Sequence, residues 1–344
     1  MKRILVLVMS CQNQFFIDEE QAVKDTWAKQ IIDGKYLNID FIIYRGGYDK
    51  NSFSKSEHLL KLNVEDDLEH TFKKTYFAFS MIKKFFGDYD YIFRTNTSTY
   101  VNVELLNAYV NSIRNDDIIY TSDIYSLTEI FAPYPMCLIA RGNGMILSNK
   151  IINALLKESL PLLSYTNLYD DHGIGNIINS LHIKNGENYK DFIKEYRHGW
   201  YKCTNTTIEN GHPLCKYDND CLDFDFWKSF MTIQMRNYGD LRNFKCRENE
   251  IEKIYEFHSK VFEDKTIDNI EECVSMNVDF KEQTVFIGSL LNYIPLEKWE
   301  SLDKYELYDL EVNNKASDDK EFYKDKQKFI YIDYHFNDSS KIII

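Results

Sequence analysis

The chain opens on an unbroken apolar run, Ile4–Met9, set between Arg3 and Ser10. A strand with one wet face alternates polar and apolar side chains. A continuous run of this length instead marks a strand buried on both faces, as in a mostly parallel sheet covered by helices. The same theme then repeats. Glu19–Ile31 carries Ala22, Val23, Trp27 and Ile31 at helical spacing, and Asn38–Arg45 is a second β-rich run closed by Gly46 and Gly47. Asp67–Phe86 has a strong helical stripe that stops at Gly87, Tyr89–Thr95 reads as another strand, and Val103–Ile113 as another helix. Further strands are expected in 117–125 and 136–148, and helices in 149–158 and 247–262. This alternation predicts a doubly wound α/β sheet.

A length of 344 residues suits one large α/β domain with a small appendage. The periodic pattern weakens past Phe262, which predicts a main domain over 1–262 and a C-terminal extension over 263–344, packed on it. Aromatic residues make up 15% of the chain and Pro is scarce, which excludes disorder as the general state. The net charge is −13, and Lys and Arg form no run that could track a phosphate backbone, so nucleic acid is excluded as a partner. The opening apolar run is too short for a signal peptide or for a membrane span, which needs about 20 apolar residues. A cytoplasmic chain without a transmembrane segment is expected. The 7 Cys are scattered and odd in number, unlike a disulfide framework. His198, Cys203, His212, Cys215 and Cys221 include no Cys-x-x-Cys pair, so an acceptor-binding loop is expected there rather than a zinc site.

Open parallel sheets bind ligands beyond the carboxyl ends of their strands. The segments in that position are Ser10 after the first strand, Arg94–Asn102, Asp123 and Tyr125, Arg141–Gly144, and the polar cluster Tyr169–Gly175 that opens a helix. By themselves these ends point to a nucleotide-binding α/β enzyme. The first strand is followed by Ser-Cys-Gln-Asn-Gln and not by a Gly-rich phosphate loop, which disfavours a nucleotidyltransferase.

Four segments also match, in order, the motifs of one family. Glu20–Trp27 (EQAVKDTW) resembles R-x-A-I-R-x-T-W, with Glu20 at the first Arg, Lys24 at the second, and Thr26–Trp27 retained. Arg94–Asn102 (RTNTSTYVN) lies without a gap over K-T-D-D-D-x-F-x-N. Gly142–Ser148 (GNGMILS) is similar to G-x-G-Y-x-L-S, and Asp170–Gly175 (DDHGIG) to E-D-V-x-x-G. The chain thus resembles the Fringe and β-1,3-galactosyltransferase family of GT-A glycosyltransferases over roughly residues 1–185.

That resemblance implies a Rossmann-like, doubly wound mixed sheet of the GT-A kind. It also implies inverting transfer of a sugar from a nucleoside-diphosphate donor, UDP foremost, to a hydroxyl of a glycan or glycolipid. Asp171 takes the family's general-base position, with Asp170 the near alternative; acidic first-turn residues of a helix are the plain reading of the same pair. The family's triple Asp binds a divalent cation, and here those positions are Asn96, Thr97 and Ser98. Hard cations prefer carboxylate oxygens, so no metal is expected to be required, with Mn2+ or Mg2+ left as the alternative. Asp88-Tyr89-Asp90 mimics Asp-x-Asp but precedes its strand and is expected at the far end of the sheet. Without a metal, the diphosphate falls to cationic, hydroxyl and amide donors. The donor-side candidates are Ser10, Lys24, Arg94, Thr95, Asn96, Thr97, Ser98, Arg236 and Arg242. On the acceptor or sugar side stand Asp123, Tyr125, Arg141, Gly142, Asn143 and Gly144, the two glycines either admitting a ligand to the backbone or forming a tight turn. Trp27 is expected in the core. The competing reading is a non-catalytic nucleotide-sugar or glycan-binding protein derived from a transferase, since loss of all three carboxylates is what such decay would leave.

Overall fold

The computed structural model describes residues 1–114, 120–127, 137–158, 169–185, 193–201, 222–235, 250–278, 331–332 and 342–343. The opening run is β1 (Ile4–Met9), and it occupies the centre of an eight-stranded mixed sheet. On one side it pairs in parallel with β2 (Ile39–Arg45), followed outward by β4 (Leu59–Lys61) and the edge strand β3 (Ser52–Ser54). On the other it pairs in parallel with β5 (Tyr91–Asn96). Beyond β5 lie β8 (Cys137–Ser148), antiparallel to it, then β7 (Tyr120–Leu127) and β9 (Ile193–Glu195). Because the chain winds outward from β1 in both directions, the topological switch point falls between β1 and β5, where open sheets of this kind bind ligands.

Alternate residues of β1 feed two separate cores, which is why the run contains no polar residue. Ile4, Val6 and Val8 pack with Trp27, Leu105, Leu106, Phe257 and Val261, the layer built by α1 (Gln14–Asp25), α2 (Lys29–Ile32), α4 (Val103–Ser112) and α7 (Glu250–Phe257) with the π-helical turn His258–Phe262 that continues it. Leu5 and Leu7 pack with Phe72, Phe79, Ile82, Leu155, Ile174 and Ile178, from α3 (Thr71–Phe86), α5 (Asn149–Glu158) and α6 (Asp170–Asn185). The result is a three-layer α/β/α arrangement with one wholly apolar strand at its middle.

Local chemistry sets the element ends. Asn13 caps α1 by accepting from the Phe15 amide, and Asn102 caps α4 by accepting from Leu105. The helix read through Ile31 breaks at Thr26, whose hydroxyl bonds the Ala22 carbonyl at 2.6 Å, and resumes as α2. Trp27 is buried edge-on against Phe41, a core residue as expected. α3 stops at Gly87 with φ of 75°, a value Gly adopts freely. A small second sheet sets β11 (Thr232–Gln234) between β10 (His198–Trp200) and β6 (Thr99–Val101).

Past Phe262 the chain continues onto the same body. Ile267 and Cys273 join the first core, and buried Asn277 of α8 (Ile270–Val278) donates to the Ser229 carbonyl and accepts from the Arg197 amide. Residues 279–330 lie outside the described residues. Among the described residues, no helix is long and apolar enough to cross a membrane.

Candidate active site

β5 ends in the sequence that carries the altered metal motif. Arg94, Thr95 and Asn96 are its last residues, Thr97–Ser98 form a turn, and Thr99 starts β6. The motif is therefore where the chain leaves the main sheet for the second one. Asn96 organises the turn: its Oδ1 accepts from the hydroxyls of Ser98 at 3.0 Å and Thr99 at 2.8 Å, and its Nδ2 donates to the Gly142 carbonyl at 3.0 Å. Ser98 Oγ accepts from Gln234 Nε2 at 2.9 Å, and Thr97 donates its hydroxyl to buried Glu19 of α1. The side chains of Asn96, Thr97 and Ser98 are thus all bonded within the protein.

The acidic pair opens α6, whose first turn meets this strand end. Arg94 Nη2 lies 2.5 Å from Asp170 Oδ2, with side-chain exposures of 1% and 6%. Arg94 also donates through Nη1 to the Gly142 carbonyl at 2.7 Å. Burial works against its charge, but Asp170 and Tyr44 hold its pKa above the ordinary arginine value. Burial pushes the Asp170 carboxyl up, the Arg94 guanidinium offsets part of that rise, and the neighbouring Asp171 adds to it. At this distance, with both groups shut off from water, the pair is best described as ionised and mutually neutralising.

Two expectations change here. Arg94 was a candidate for holding the donor's diphosphate, but it is buried and its charge is matched by Asp170, so it braces the site from beneath. Asp170 was an alternative base, and its carboxylate is spent on that same arginine. Asp171 is the more accessible of the two, with 20% of its side chain exposed, and it accepts from the His172 amide at 2.9 Å.

The glycine segment sits differently from the sequence reading as well. Arg141–Gly144 does not follow a strand; it lies inside β8, which runs antiparallel to β5 and so brings its middle alongside the carboxyl end of β5. Between β7 and β8 the register jumps from Ser122↔Met145 to Ile124↔Ala140, leaving Arg141–Gly144 bulged opposite Asp123. The glycines admit protein side chains: a Cβ at Gly142 would stand 2.9 Å from Arg94 Nη1, and one at Gly144 would stand 2.6 Å from Tyr196 Oη. Asn143 is buried, with its Nδ2 against His198 Nε2 at 2.8 Å and His198 Nδ1 against Thr232 Oγ1 at 2.7 Å. Its carbonyl accepts from Thr95 Oγ1 at 2.9 Å, while its own Oδ1 is buried without a partner.

Nothing in the protein-family models matches the chain. Nor does any curated protein. Solved structures do align. A mutant of LgtC, named as a galactosyltransferase, aligns at TM-score 0.41 and 10% identity, covering 78% of this chain and 99% of that one. A glycosyltransferase involved in glycosylating the major capsid of PBCV-1 aligns at TM-score 0.38 and 9% identity, covering 74% and 99%. The glycosyltransferase GlyE of Streptococcus pneumoniae TIGR4 aligns at 0.32 and 10%, covering 82% and 66%. At TM-scores this low such likeness carries no functional inference, which must come from the residues.

The remaining candidates divide. Ser10 closes β1 beside the switch point, its carbonyl accepting from Lys74 Nζ at 2.8 Å and its hydroxyl buried without a partner. Lys24 lies apart, half-buried on α1 beside Glu20 and Arg45, with its pKa lowered by burial. Arg141 is half-buried on β8. Asp123 and Tyr125 are placed by their backbone on β7; Arg236 and Arg242 lie outside the described residues, as do Cys203, His212, Cys215 and Cys221 of the loop expected to bind acceptor. Asp88 and Asp90 stand at the amino end of β5, tied to Lys83 and Arg3, as far from Asn96 as the strand allows. The metal-motif positions hold an amide and two hydroxyls, already bonded, and the one carboxylate that meets them is Glu19, through Thr97. Among the described residues, His, Cys, Asp and Glu form no group of three able to hold a metal. These residues do not suit a hard divalent cation.

Sequence reasoning missed Lys74 and Asp66. Buried Lys74 bonds Asp66 at 2.8 Å, and Asp66 also accepts from the Gln12 and Gly46 amides, which fastens the carboxyl ends of β1 and β2. The available signal was a lysine beside the apolar stripe of α3.

Proposed function

We propose that the chain is an inverting glycosyltransferase of the GT-A kind that moves a sugar from a nucleoside-diphosphate donor, UDP foremost, to a hydroxyl of a glycan or glycolipid. The observation that carries this reading is the contact of Arg94 with Asp170. It brings the motif at the end of β5 and the acidic pair of α6 to one place, beside the switch point of the sheet.

Asp171 is the general base. It takes the proton of the acceptor hydroxyl as that oxygen attacks the anomeric carbon and the bond to the diphosphate breaks. Asp170 cannot share the task while it neutralises Arg94. Negative charge developing on the leaving diphosphate calls for preorganised donors. Ser10 Oγ at the end of β1 and the Nδ2 proton of Asn96 not given to Gly142 supply neutral ones, while Thr97 and Ser98 give their protons to Glu19 and Asn96 and shape the turn; Arg141, Arg236 and Arg242 are the cationic candidates. No step is assigned to a metal.

The neutral Asn96-Thr97-Ser98 favours a second reading, a nucleotide-sugar-binding protein without turnover. Incubation with UDP-glucose, UDP-galactose and UDP-N-acetylglucosamine, with and without EDTA, separates the two. Release of UDP that persists in EDTA supports the transferase reading. Release abolished by EDTA and restored by manganese contradicts its metal-free part. Binding of these donors with no release supports the second reading.

A further inference from the structure

We infer that Tyr44 and Thr75 are positioning residues that set Asp171 through a closed ring of hydrogen bonds. The role given to Asp171 rests on the transferase reading; the ring itself does not. Arg94 Nε donates to Tyr44 Oη at 3.4 Å, Tyr44 Oη lies 2.8 Å from Thr75 Oγ1, and Thr75 Oγ1 donates to Asp170 Oδ2 at 3.3 Å. Arg94 Nη2 reaches that same Asp170 oxygen at 2.5 Å and closes the circuit.

The direction of the ring follows from its ends. A guanidinium only donates and a carboxylate only accepts. Thr75 has one hydroxyl proton and gives it to Asp170, so Tyr44 supplies the proton between the two hydroxyls. Burial pushes the Tyr44 hydroxyl up to about 12, against the pull of Arg94, so it keeps that proton. All four side chains are buried. An incomplete ring there would leave a polar atom unsatisfied, which gives the four groups one stable arrangement.

The four residues come from β2, α3, β5 and α6. The ring therefore joins strands on both sides of β1 to two helices of one layer. Its effect falls on the first turn of α6. Successive helical residues point about 100° apart at 3.6 per turn, so fixing Asp170 inward sets the heading of Asp171, which stays partly exposed. Close packing holds the same turn from the side: a Cβ on Gly173 would run into the Phe72 ring of α3. Neither hydroxyl bonds to Asp171, so both act through Asp170.

Thr75→Val and Tyr44→Phe each remove one proton donor with little change in volume. Made in the full chain, they are compared with Thr75→Ser by UDP release from the three UDP-sugars, by carbon NMR titration of the Asp171 carboxyl, and by thermal melting. The expected result is a kcat lowered at least about tenfold with donor KM nearly unchanged, a displaced Asp171 titration curve, and recovery of both in Thr75→Ser. Variants that melt earlier but keep the wild-type kcat and Asp171 curve overturn the inference and leave a purely structural ring. If the wild type releases UDP from none of the donors, the transferase reading falls while the titration still decides the ring. A displaced curve in Thr75→Val then supports it, and an unmoved one overturns it. Should Thr75→Val not fold, Tyr44→Phe gives the same decision.

Discussion

Arg94 at the end of β5 and Asp170 at the start of α6 form a buried ion pair 2.5 Å long, and through it two distant sequence motifs become one structure. Such a pair adds little net stability relative to a well-packed apolar substitute, but breaking it leaves a lone charge in the core. Arg94→Met or Asp170→Leu alone is expected to cost about 3–5 kcal/mol in urea unfolding. The double variant should cost clearly less than the sum of the two. Additive losses would mean that the charges do not act as a pair.

Asp171 tests the chemistry apart from the fold. Its side chain is partly exposed and outside the Arg94 pair, so Asp171→Asn is expected to melt with the wild type and to bind UDP equally well. Loss of the base should lower kcat about 100-fold or more. A variant that keeps full turnover removes Asp171 from the mechanism.

Gly173 offers a test whose sign is decided by packing. At a helical position, Gly→Ala ordinarily stabilises by up to about 1 kcal/mol. Here the added methyl would run into the Phe72 ring, and overpacking of this kind costs about 1–3 kcal/mol. Gly173→Ala is expected to lower the melting temperature, and Phe72→Leu in the same chain to recover part of the loss. A Gly173→Ala protein more stable than wild type would contradict the close approach of α3 and α6.

Alkaline pH reports on buried tyrosines. Burial pushes the hydroxyls of Tyr44 and Tyr109 up to about 12. An acid whose folded pKa lies above its unfolded value near 10 ionises first in the unfolded chain, so stability falls as pH rises from there towards 12. Near-ultraviolet titration should show these two groups ionising late and together with unfolding, and Tyr44→Phe should flatten the alkaline loss of stability. Tyr44 ionising near pH 10 with the fold intact would contradict its burial.

Much of the fold was legible because apolar pattern reports burial directly. The run Ile4–Met9 announced a central strand, and Gly87 the end of α3. Thr26 hid the break between α1 and α2, because the apolar stripe of Ala22, Val23, Trp27 and Ile31 continues across it. Strand direction was not legible for β8. Its composition does not say that it runs antiparallel, so Arg141–Gly144 read as a strand end when it is a bulge within one. In the site, sequence named Arg94 and Asp170 but not that each would consume the other; that follows from β5 and α6 meeting, which no local pattern encodes. Thr75 and Lys74 carried a weaker signal, polar groups along the buried face of α3.

In the proposed reaction a nucleoside diphosphate seats at the carboxyl ends of β1 and β5, with Asp171 on the acceptor side of the anomeric carbon, across from the leaving oxygen. A crystal structure with UDP bound tests it most directly. The account predicts the diphosphate against Ser10 and the turn Asn96–Ser98, with the Arg94–Asp170 pair intact beneath and Asp171 open towards the place a sugar would occupy. UDP bound elsewhere on the molecule, or seated there with Asp171 turned away and sealed off, would contradict it.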